Sequence, residues 1–560
     1  LMGRLRVSNL MEIATVQGSG HESDYAGQTV KVAGVVTSLL RYGFYLQSPT
    51  QHWDGERSNA IFVYGRDFRP ALGTALLVSG EVTNYFAHDL AKPVTQMLYE
   101  SHAAFEFDKL KLEPIDFNVQ VLSEQGPSLA NWLNSVEGML IRIPAGSRFI
   151  SPSNAFGDYV VQLDDLNQGL VPRQEGGLVV GEASESTWFP GFRVIDYAHA
   201  QVLDVGTILK SDVVGALHYR VDAYQLSVNY PFEVEHTYAS SSVSSLSTKT
   251  DGMRVMTLNC FNLDPRIESA DKVMNPRTDV DDDHGDGRFL SLAKAIVVNA
   301  KEPDVVALQE IQDSDGAELT DITHAKDTYE LLIKSIGILS KVPYRWVDLE
   351  PELNADGGQP GGNIRNGFLY RTDTVSLNRP SVRRLGNDAA GFIDSRKPLC
   401  ADFVLKSSQQ SVSVINVHLA SKRHQESAFS PHNPGYDPKD SIRHQQGAIV
   451  LSEMDRLAEN GKYYYVTGDF NDGEHSETLA LMCSHDAENL VFELEPAERF
   501  DYNHRGKLQV LMHGLASGSL LTPTKPEYEI LHGNELIGVV PGEDTDKASD
   551  HAYVMARLSI

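Results

Sequence analysis

Short alternating segments fill the first 235 residues. "TVKVAGVVTSLL", "YGFYLQSP", "NAIFVYG" and "TALLVSGEVTNYF" are followed by "GMLIRIPA", "DYVVQLDD", "TILKSDVVGALHY" and "AYQLSVNY", each bounded by turn residues. Many short strands separated by turns predict small β-barrels or sandwiches. After residue 252 the pattern becomes alternating α and β. "MRVMTLN" and "DVVALQE" read as strands, and between them "RFLSLAKAIVVNA" sets Phe289, Leu292, Ala293, Ile296 and Val297 on one helical face. "NGFLYR", "SVSVINVHLAS", "YYYVTGDF", "LQVLMHGLAS" and "HAYVMARLSI" are further strands, with "DSIRHQQGAIVLSEMDRLAEN" a helix ahead of the third. Between the two regimes lies "HTYASSSVSSLSTKTDG", rich in Ser and Thr and without apolar periodicity, which reads as a flexible linker. The predicted organisation is a β-rich module over 1–112, a second over 113–236, a linker over 237–252 and an α/β domain over 253–560.

Five polar islands end or interrupt apolar strands of that last domain: Asn259 in "TLNCFNL", Glu310 in "VALQEIQD", His418 in "INVHLAS", Asp469 with Asn471 in "VTGDFND", and Asp550 with His551 in "KASDHAYV". Singly, each has a structural explanation as a turn cap, a loop start or a satisfied core polar group. Together they supply oxygen ligands for a hard cation, a carboxylate able to deprotonate water and two imidazoles for a phosphate group. That set suits phosphodiester hydrolysis. Mg²⁺ (or Mn²⁺) favours one or two carboxylates plus water and phosphate oxygens, so Glu310 and Asp550 with Asn259 suffice. The metal neutralises charge developing on the phosphoryl oxygens. Asp469 is the expected base towards water, and Asn471 holds water or phosphate.

Composition changes the picture in two places. A net charge of −28, with acid in excess in both halves, favours solubility and repels polyanions at low salt. It is either an ordinary acidic surface or one tuned to saline surroundings. Three cysteines, Cys260, Cys400 and Cys483, allow at most one internal disulfide and form no zinc spacing. No apolar run is long enough to span a bilayer, so membrane insertion is not expected, and no obligate protein partner is evident. The chain opens on Leu1, which fits a mature product whose export signal has been removed.

The ordered set "LN…LQE…NVHLASK…GDFND…SDH" resembles the endonuclease/exonuclease/phosphatase superfamily, whose members include pancreatic deoxyribonuclease, abasic-site endonucleases and bacterial sphingomyelinases. The resemblance covers residues 253–560. It implies a four-layer sandwich, two mixed β-sheets flanked by helices, with the site where strand ends converge. It also implies that Glu310 is the principal metal ligand with Asn259 and Asp550 beside it. Asp469 and Asn471 match the base and its orienting amide, and His418 and His551 match the histidines that contact the scissile phosphate. The first segment, "VKVAGVVTSLL…GFYLQSP…AIFVYG…LVSGEVTNYF", resembles OB-fold modules placed ahead of the catalytic domain in large secreted bacterial nucleases, with a weaker second copy over about 115–235. The whole chain is similar to extracellular nucleases of marine gammaproteobacteria. The expected activity is therefore a secreted or periplasmic nuclease acting on DNA, or RNA, with little sequence preference. The alternatives are a phosphoesterase of the same fold acting on lipid headgroups or nucleotides, and a weakened nucleic-acid-binding protein.

One position departs from the pattern. In "KLQVLMHGLASGS" the family usually carries an Asp that orients the final histidine, and here Met512 occupies it, followed by His513. A missing carboxylate lowers the pKa of His551 and loosens it. Three readings follow: Asp501 or Glu543 substitutes, the enzyme is slower or altered in pH dependence, or the site is degenerate. Tyr42, Phe44, Tyr45 and Phe62 of the first module either stack bases or fill the barrel. Asp279, Asp281 and Asp283 in "TDVDDDHGDGRF" alternate like ligands of a structural Ca²⁺, although His284 stands where an EF-hand needs Gly; the alternative is a solvated acidic loop. Arg365 with Asn366, Arg396, Lys422 with Arg423, and Arg443 are candidate phosphate contacts, with Arg365 and Arg443 preferred.

Overall fold

The computed structural model describes residues 10–560 apart from 90, 108–111, 118–128, 155–157, 163–169, 183–190, 196–200, 221–222, 424, 426–434 and 540–546. Residues 253–560 form two six-stranded mixed sheets. In the first the spatial order is Tyr344–Asp348, Arg365–Arg371, Val305–Ile311, Gly252–Leu263, Tyr553–Ser559 and Glu527–Leu531. In the second it is Val375–Arg384, Leu399–Leu405, Ser411–His418, Tyr463–Asp469, Met512–Ala516 and Glu488–Asn489. The sheets face each other across a core that includes Val255, Ala307 and Phe368 from one and Phe403, Val414 and Tyr465 from the other. Helices cover the outer faces. The segment Arg288–Lys294 and the helix Lys326–Leu339 bury Phe289, Leu292, Tyr329 and Ile336 on the first sheet, and Asp440–Glu459 buries Val450, Met454 and Leu457 on the second. The expected four-layer sandwich is the one formed. The first helix relaxes into a π-turn over Ala295–Asn299, which turns Ala295 into the core beside Ile296 and leaves Val297 only partly buried.

Each sheet holds one parallel pair at its centre: Gly252–Leu263 with Val305–Ile311, and Ser411–His418 with Tyr463–Asp469. Parallel neighbours point the same way, so the carboxyl ends of all four strands, carrying Asn259, Glu310, His418 and Asp469, come to one edge. A polar seam fixes the two sheets there. Gln309 Nε2 donates to Asn416 Oδ1 at 2.8 Å, Asn416 Nδ2 donates back to Leu308 O at 2.9 Å, and the Thr257 and Thr467 hydroxyls bond each other.

The described N-terminal residues hold two further six-stranded sheets beside smaller ones. Thr29–Leu40, Gly43–Gln47, Ala60–Tyr64, Val94–Ala104 and Ala75–Tyr85 pair in that order, and the last returns to the first, closing a five-stranded barrel. Phe44 fills its core. Tyr45 and Phe62 are buried on its outer face, where the Tyr45 hydroxyl lies 2.7 Å from His218 Nδ1 in the second sheet. These three rings are therefore packing residues, and base stacking does not describe them. The second sheet runs Ile115–Asp116, Leu140–Ile143, Val213–Arg220, Ala223–Val228, Gly191–Ile195 and Asp158–Gln162; among the described residues its edge strands are not paired to each other. A buried ion pair, Lys92 Nζ to Glu137 Oε1 at 2.8 Å, joins barrel and second sheet.

Two connections depart from the sequence expectation. The Ser/Thr-rich segment has no regular structure yet is tied down: Ser244 and Ser245 donate to the Glu529 carboxylate, Ser242 N donates to His532 O at 2.8 Å, and Leu246 is buried in the core between the first sheet and its helices. Its side chains find acceptors on the neighbouring strand, which composition alone does not show. The strand expected over "LQVLMHGLAS" is broken at Val510–Leu511. Lys507–Gln509 turns away to pair with Tyr502–His504 and, in parallel, with Leu178–Val179 of the N-terminal half. No helix among the described residues is long and apolar enough to cross a membrane.

Candidate active site

The strand Val305–Ile311 reaches the edge with a buckle. Its register slips between Leu308 and Ile311, and Glu310 takes a left-handed φ of 55°. The partner strand slips between Asn259 and Leu263, with Phe261 and Asn262 both at φ 52°. Such bulges re-aim side chains at the ends of strands, and left-handed backbone in non-glycine residues persists only where the surroundings enforce it. The enforcing groups are visible. Arg288 donates to the carbonyls of Cys260 and Phe261 and pairs with Asp283, while Asn262 N donates to Glu310 Oε2 at 3.1 Å.

The cluster centres on Asp469, which is 1% exposed. Its Oδ1 accepts from Asn471 N at 2.9 Å, and its Oδ2 lies 3.2 Å from Asn259 Nδ2, 3.8 Å from His418 Nε2 and 3.6 Å from His551 Nε2. Asn259 Nδ2 is also 3.2 Å from Glu310 Oε1, which stands 3.8 Å from His418 Nε2. One ligand atom from each of Glu310, His418 and Asp469 lies within 4.8 Å of the other two. Asn471, at φ 51°, donates its amide to Leu419 O at 2.9 Å. The six sequence-predicted residues Asn259, Glu310, His418, Asp469, Asn471 and His551 are thus brought together, with Asp550 next to His551.

The electrostatics divide the two histidines. Burial, with Arg396 and His551 adding to it, pushes His418 well below the ordinary range, so it is neutral. Burial also pulls on His551, but Asp550, Asp469 and Asp501 outweigh it and raise it to about 10. Burial, Asp550 and Asp469 push Glu310 up to about 7. Burial pushes Asp469 up to about 6 against the opposing pull of His551. Acidic groups crowded in this way resist ionisation until a cation relieves them. Asp550 Oδ1 is buried with no hydrogen-bond partner. An orphaned carboxylate oxygen next to two perturbed acids fits a hard divalent cation, which Glu310, Asp550 and Asn259 would hold.

The orienting acid of His551 is Asp501. Its Oδ1 accepts from His551 Nδ1 at 2.9 Å, and its Oδ2 accepts from Leu511 N at 2.8 Å and Met512 N at 2.9 Å. Leu511 lies in the break of the strand and Met512 is where the strand resumes. Of the three readings of Met512, substitution by Asp501 is the one the Asp501–His551 contact supports, and His551 is neither loose nor lowered: the carboxylate comes from 50 residues upstream of the histidine instead of from the strand. Glu543 lies outside the described residues. Met512 itself is fully buried in the core between the sheets, and His513 donates from Nε2 to Asp472 O at 2.7 Å as a neutral packing residue. Restoring the family's residue with Met512→Asp is therefore expected to destabilise the protein by about 3–5 kcal/mol, because it adds an uncompensated buried charge next to Asp501. Thermal melting at neutral pH checks this; an unchanged melting temperature contradicts it.

The preferred basic candidates do not reach the site. Arg365 is buried against Asp348 and the carbonyls of Thr323 and Asn363. Arg443 is 1% exposed and bonds Asp472, Asp437 and Ala420 O, which anchors the "DFND" loop to the long helix. Asn366 donates its amide to Lys397 O and Asn416 O. Arg396 is the exception among them. It is 8% exposed, its Nε has no partner, its Nη2 donates to Leu419 O at 3.4 Å, and burial lowers its pKa against the opposing pull of Glu310, Asp469 and Asp356. The calcium triad also dissolves: Asp283 pairs with Arg288, Asp279 accepts from Asn275 N and Gln359, and Asp281 groups with Asp264 and Glu268, two acids the spacing argument did not include.

Comparison with known proteins agrees with this geometry. The model of the Endonuclease/Exonuclease/phosphatase family matches residues 256–551, and that of a domain of unknown function (DUF8508) matches residues 127–236. No curated protein matches the chain. Among solved structures, the human Nocturnin catalytic domain is similar at 15% identity and TM-score 0.37, over 55% of this chain and 94% of that one. A humanized D. rerio TDP2 gives 15% and 0.35, over 55% and 100%. The Bacteroides thetaiotaomicron mannosyl-6-phosphatase gives 12% and 0.34, again over 55% and 100%. With more than half of its residues matched by one family model, the chain belongs to the endonuclease/exonuclease/phosphatase family.

Proposed function

We propose that this hydrolase is a secreted, divalent-metal-dependent nuclease that cleaves phosphodiester bonds of DNA, or RNA, with little sequence preference. Members of the family are metal-dependent phosphoesterases. The observation that carries the reading is the convergence of Glu310, His418 and Asp469 on one point, with His551 held beside them by Asp501. A bound Mg²⁺ or Mn²⁺ supplies neutralisation of charge on the phosphoryl oxygens. The chain's own residues do the rest. Asp469, ionised at neutral pH, takes the proton of the attacking water, and Asn471 is fixed next to it. His551, as imidazolium, offers Nε2–H to the phosphoryl group or the leaving oxygen, and neutral His418 hydrogen-bonds without adding charge. Arg396 presents an unpaired guanidinium to a phosphate oxygen. The Asp501 contact supports activity over a degenerate site, and the closed barrel order supports an OB fold for the first module.

The test is cleavage of supercoiled plasmid in Mg²⁺, Mn²⁺ and Ca²⁺, each with and without chelator, across a salt series. Nicking that requires metal is the expected result. Its rate should first rise with salt, as repulsion between DNA and a chain of net charge −28 is screened, and then fall as phosphate contacts weaken. Intact plasmid under every condition, with turnover of small phosphoesters, moves the reading to a phosphatase; a rate that only falls from low salt upward removes the salt-tolerance argument.

A further inference from the structure

The barrel face that carries Tyr45 and Phe62 is closed off by the second sheet, through Tyr45 to His218 and Ser38 Oγ to Ser227 Oγ at 2.8 Å. At the rim of that seam the chain gathers its opposite charge. The guanidinium carbons of Arg66, Arg41 and Arg220 lie 4.7, 5.2 and 6.0 Å from the centroid of the Tyr42 ring. All three arginines are exposed, and Tyr42 is half-buried. Arg41 and Tyr42 form the turn between the first two barrel strands, Arg66 follows the third, and Arg220 ends a strand of the second sheet. Among the described residues, no carboxylate lies within ion-pair distance of any of the three, in a chain with 76 acidic residues. Three like charges held round one ring repel one another, and an anion relieves that repulsion.

An aromatic surface adjoins the arginines. Gly65 N donates to the backbone carbonyl of Tyr42 at 2.9 Å, and a Cβ on Gly65 would come 2.9 Å from that of Tyr99, so Gly65 lies against both residues. Tyr99 stacks on Phe68 at 5.0 Å, and Phe68 on the exposed His102 at 3.9 Å. Guanidiniums beside partly open rings match a phosphate backbone whose bases are unpaired and free to stack.

We propose that Arg41, Tyr42, Arg66 and Arg220, with Phe68 and Tyr99, form a docking site for single-stranded nucleic acid that spans both N-terminal modules. It rests on the nucleic-acid reading above and adds an anchor remote in sequence from the hydrolytic cluster. In the full-length protein with chelator present, fluorescence anisotropy with an oligothymidylate measures binding. The combined Arg41→Glu, Arg66→Glu, Arg220→Glu variant should bind at least about tenfold more weakly. Its slope of log affinity against log salt should fall by about 2, at about 0.7 for each phosphate no longer neutralised. Tyr99→Ala should weaken binding about tenfold by removing a stacking surface. Melting temperature and hydrolysis of bis(p-nitrophenyl) phosphate, which needs only the catalytic cluster, should be unchanged in the charge-reversed protein. Unaltered affinity and salt slope, absence of binding by the wild type, or equal competition by a duplex of the same length each overturns the site. Oligonucleotide bound at this patch but hydrolysed under no metal condition overturns the nuclease reading and leaves the site standing.

Discussion

Asp469→Asn is expected to lower plasmid cleavage by about 10³-fold, within the 10²–10⁴ that a positioned general base contributes. The substitution keeps the shape of the side chain, and its carbonyl oxygen still accepts from Asn471 N, which now sits 2.9 Å from Oδ1. What disappears is the oxygen ringed by Asn259, His418 and His551, which is the one placed to take a proton. Stability should move the other way. Burial raises Asp469 to about 6, above the unfolded value near 3.9, so the folded state holds its proton more tightly than the unfolded one. Such a group costs stability as pH rises above the unfolded pKa, and that cost is fully present above about 6. Without metal at pH 8, the Asn variant should therefore melt no lower than the wild type, while oligonucleotide binding in chelator is retained. Activity within a few-fold of wild type would place the base elsewhere. Abolished binding or a lowered melting temperature would give Asp469 a structural role.

The residues that were legible in the sequence share one property: each contradicts its own neighbourhood. An acid or amide at the end of a run such as "YYYVTGDF" has no place in a core, so its presence announces an edge where something else satisfies it. The same logic exposed Glu310 and His418. Partnership over distance left no such mark. The missing acid at Met512 makes Asp501 one of two substitutes, with Glu543, but nothing in "ERFDYNH" chooses between them; the amides of Leu511, at the break in the strand, and Met512, where it resumes, hold the carboxylate that partners His551. Sequence context favours Arg365 and Arg443 over Arg396, and the structure reverses that order. They differ because Asp348 and Asp472 pair with the first two, whereas among the described residues no carboxylate lies within ion-pair distance of Arg396, whose Nε has no partner. The two-residue strand Leu178–Val179, too short to signal by periodicity, joins the N-terminal half to the hairpin that carries Asp501 and Tyr502.

That hairpin makes Asp501→Asn the second large expected effect. Asp501 is fully buried, and as an acceptor it fixes the proton of His551 on Nδ1, leaving Nε2 to face Asp469. Asparagine can keep its carbonyl towards Leu511 N and Met512 N only by turning its NH₂ to the imidazole. Nδ1 must then accept. Nε2 keeps its hydrogen, but the ring is held neutral and the cationic acid is lost, so a loss of about 10²–10⁴ is expected, the range of a positioned general acid. The pH dependence separates this from simple damage. In the wild type, Asp550, Asp469 and Asp501 offset burial and hold His551 as imidazolium up to about pH 10. Without the Asp501 charge the pKa falls, so imidazolium is lost at lower pH. The variant's rate should thus fall away on the alkaline side earlier than the wild type's, with the deficit smallest near pH 6. Stability follows the same sign. A raised histidine contributes fully below its unfolded pKa near 6.5, and that contribution is lost as pH rises through about 10. The variant's melting deficit should accordingly be largest at pH 6 and shrink towards pH 10. A rate deficit equal at every pH would mean that Asp501 only holds the hairpin together and does not govern the protonation of His551.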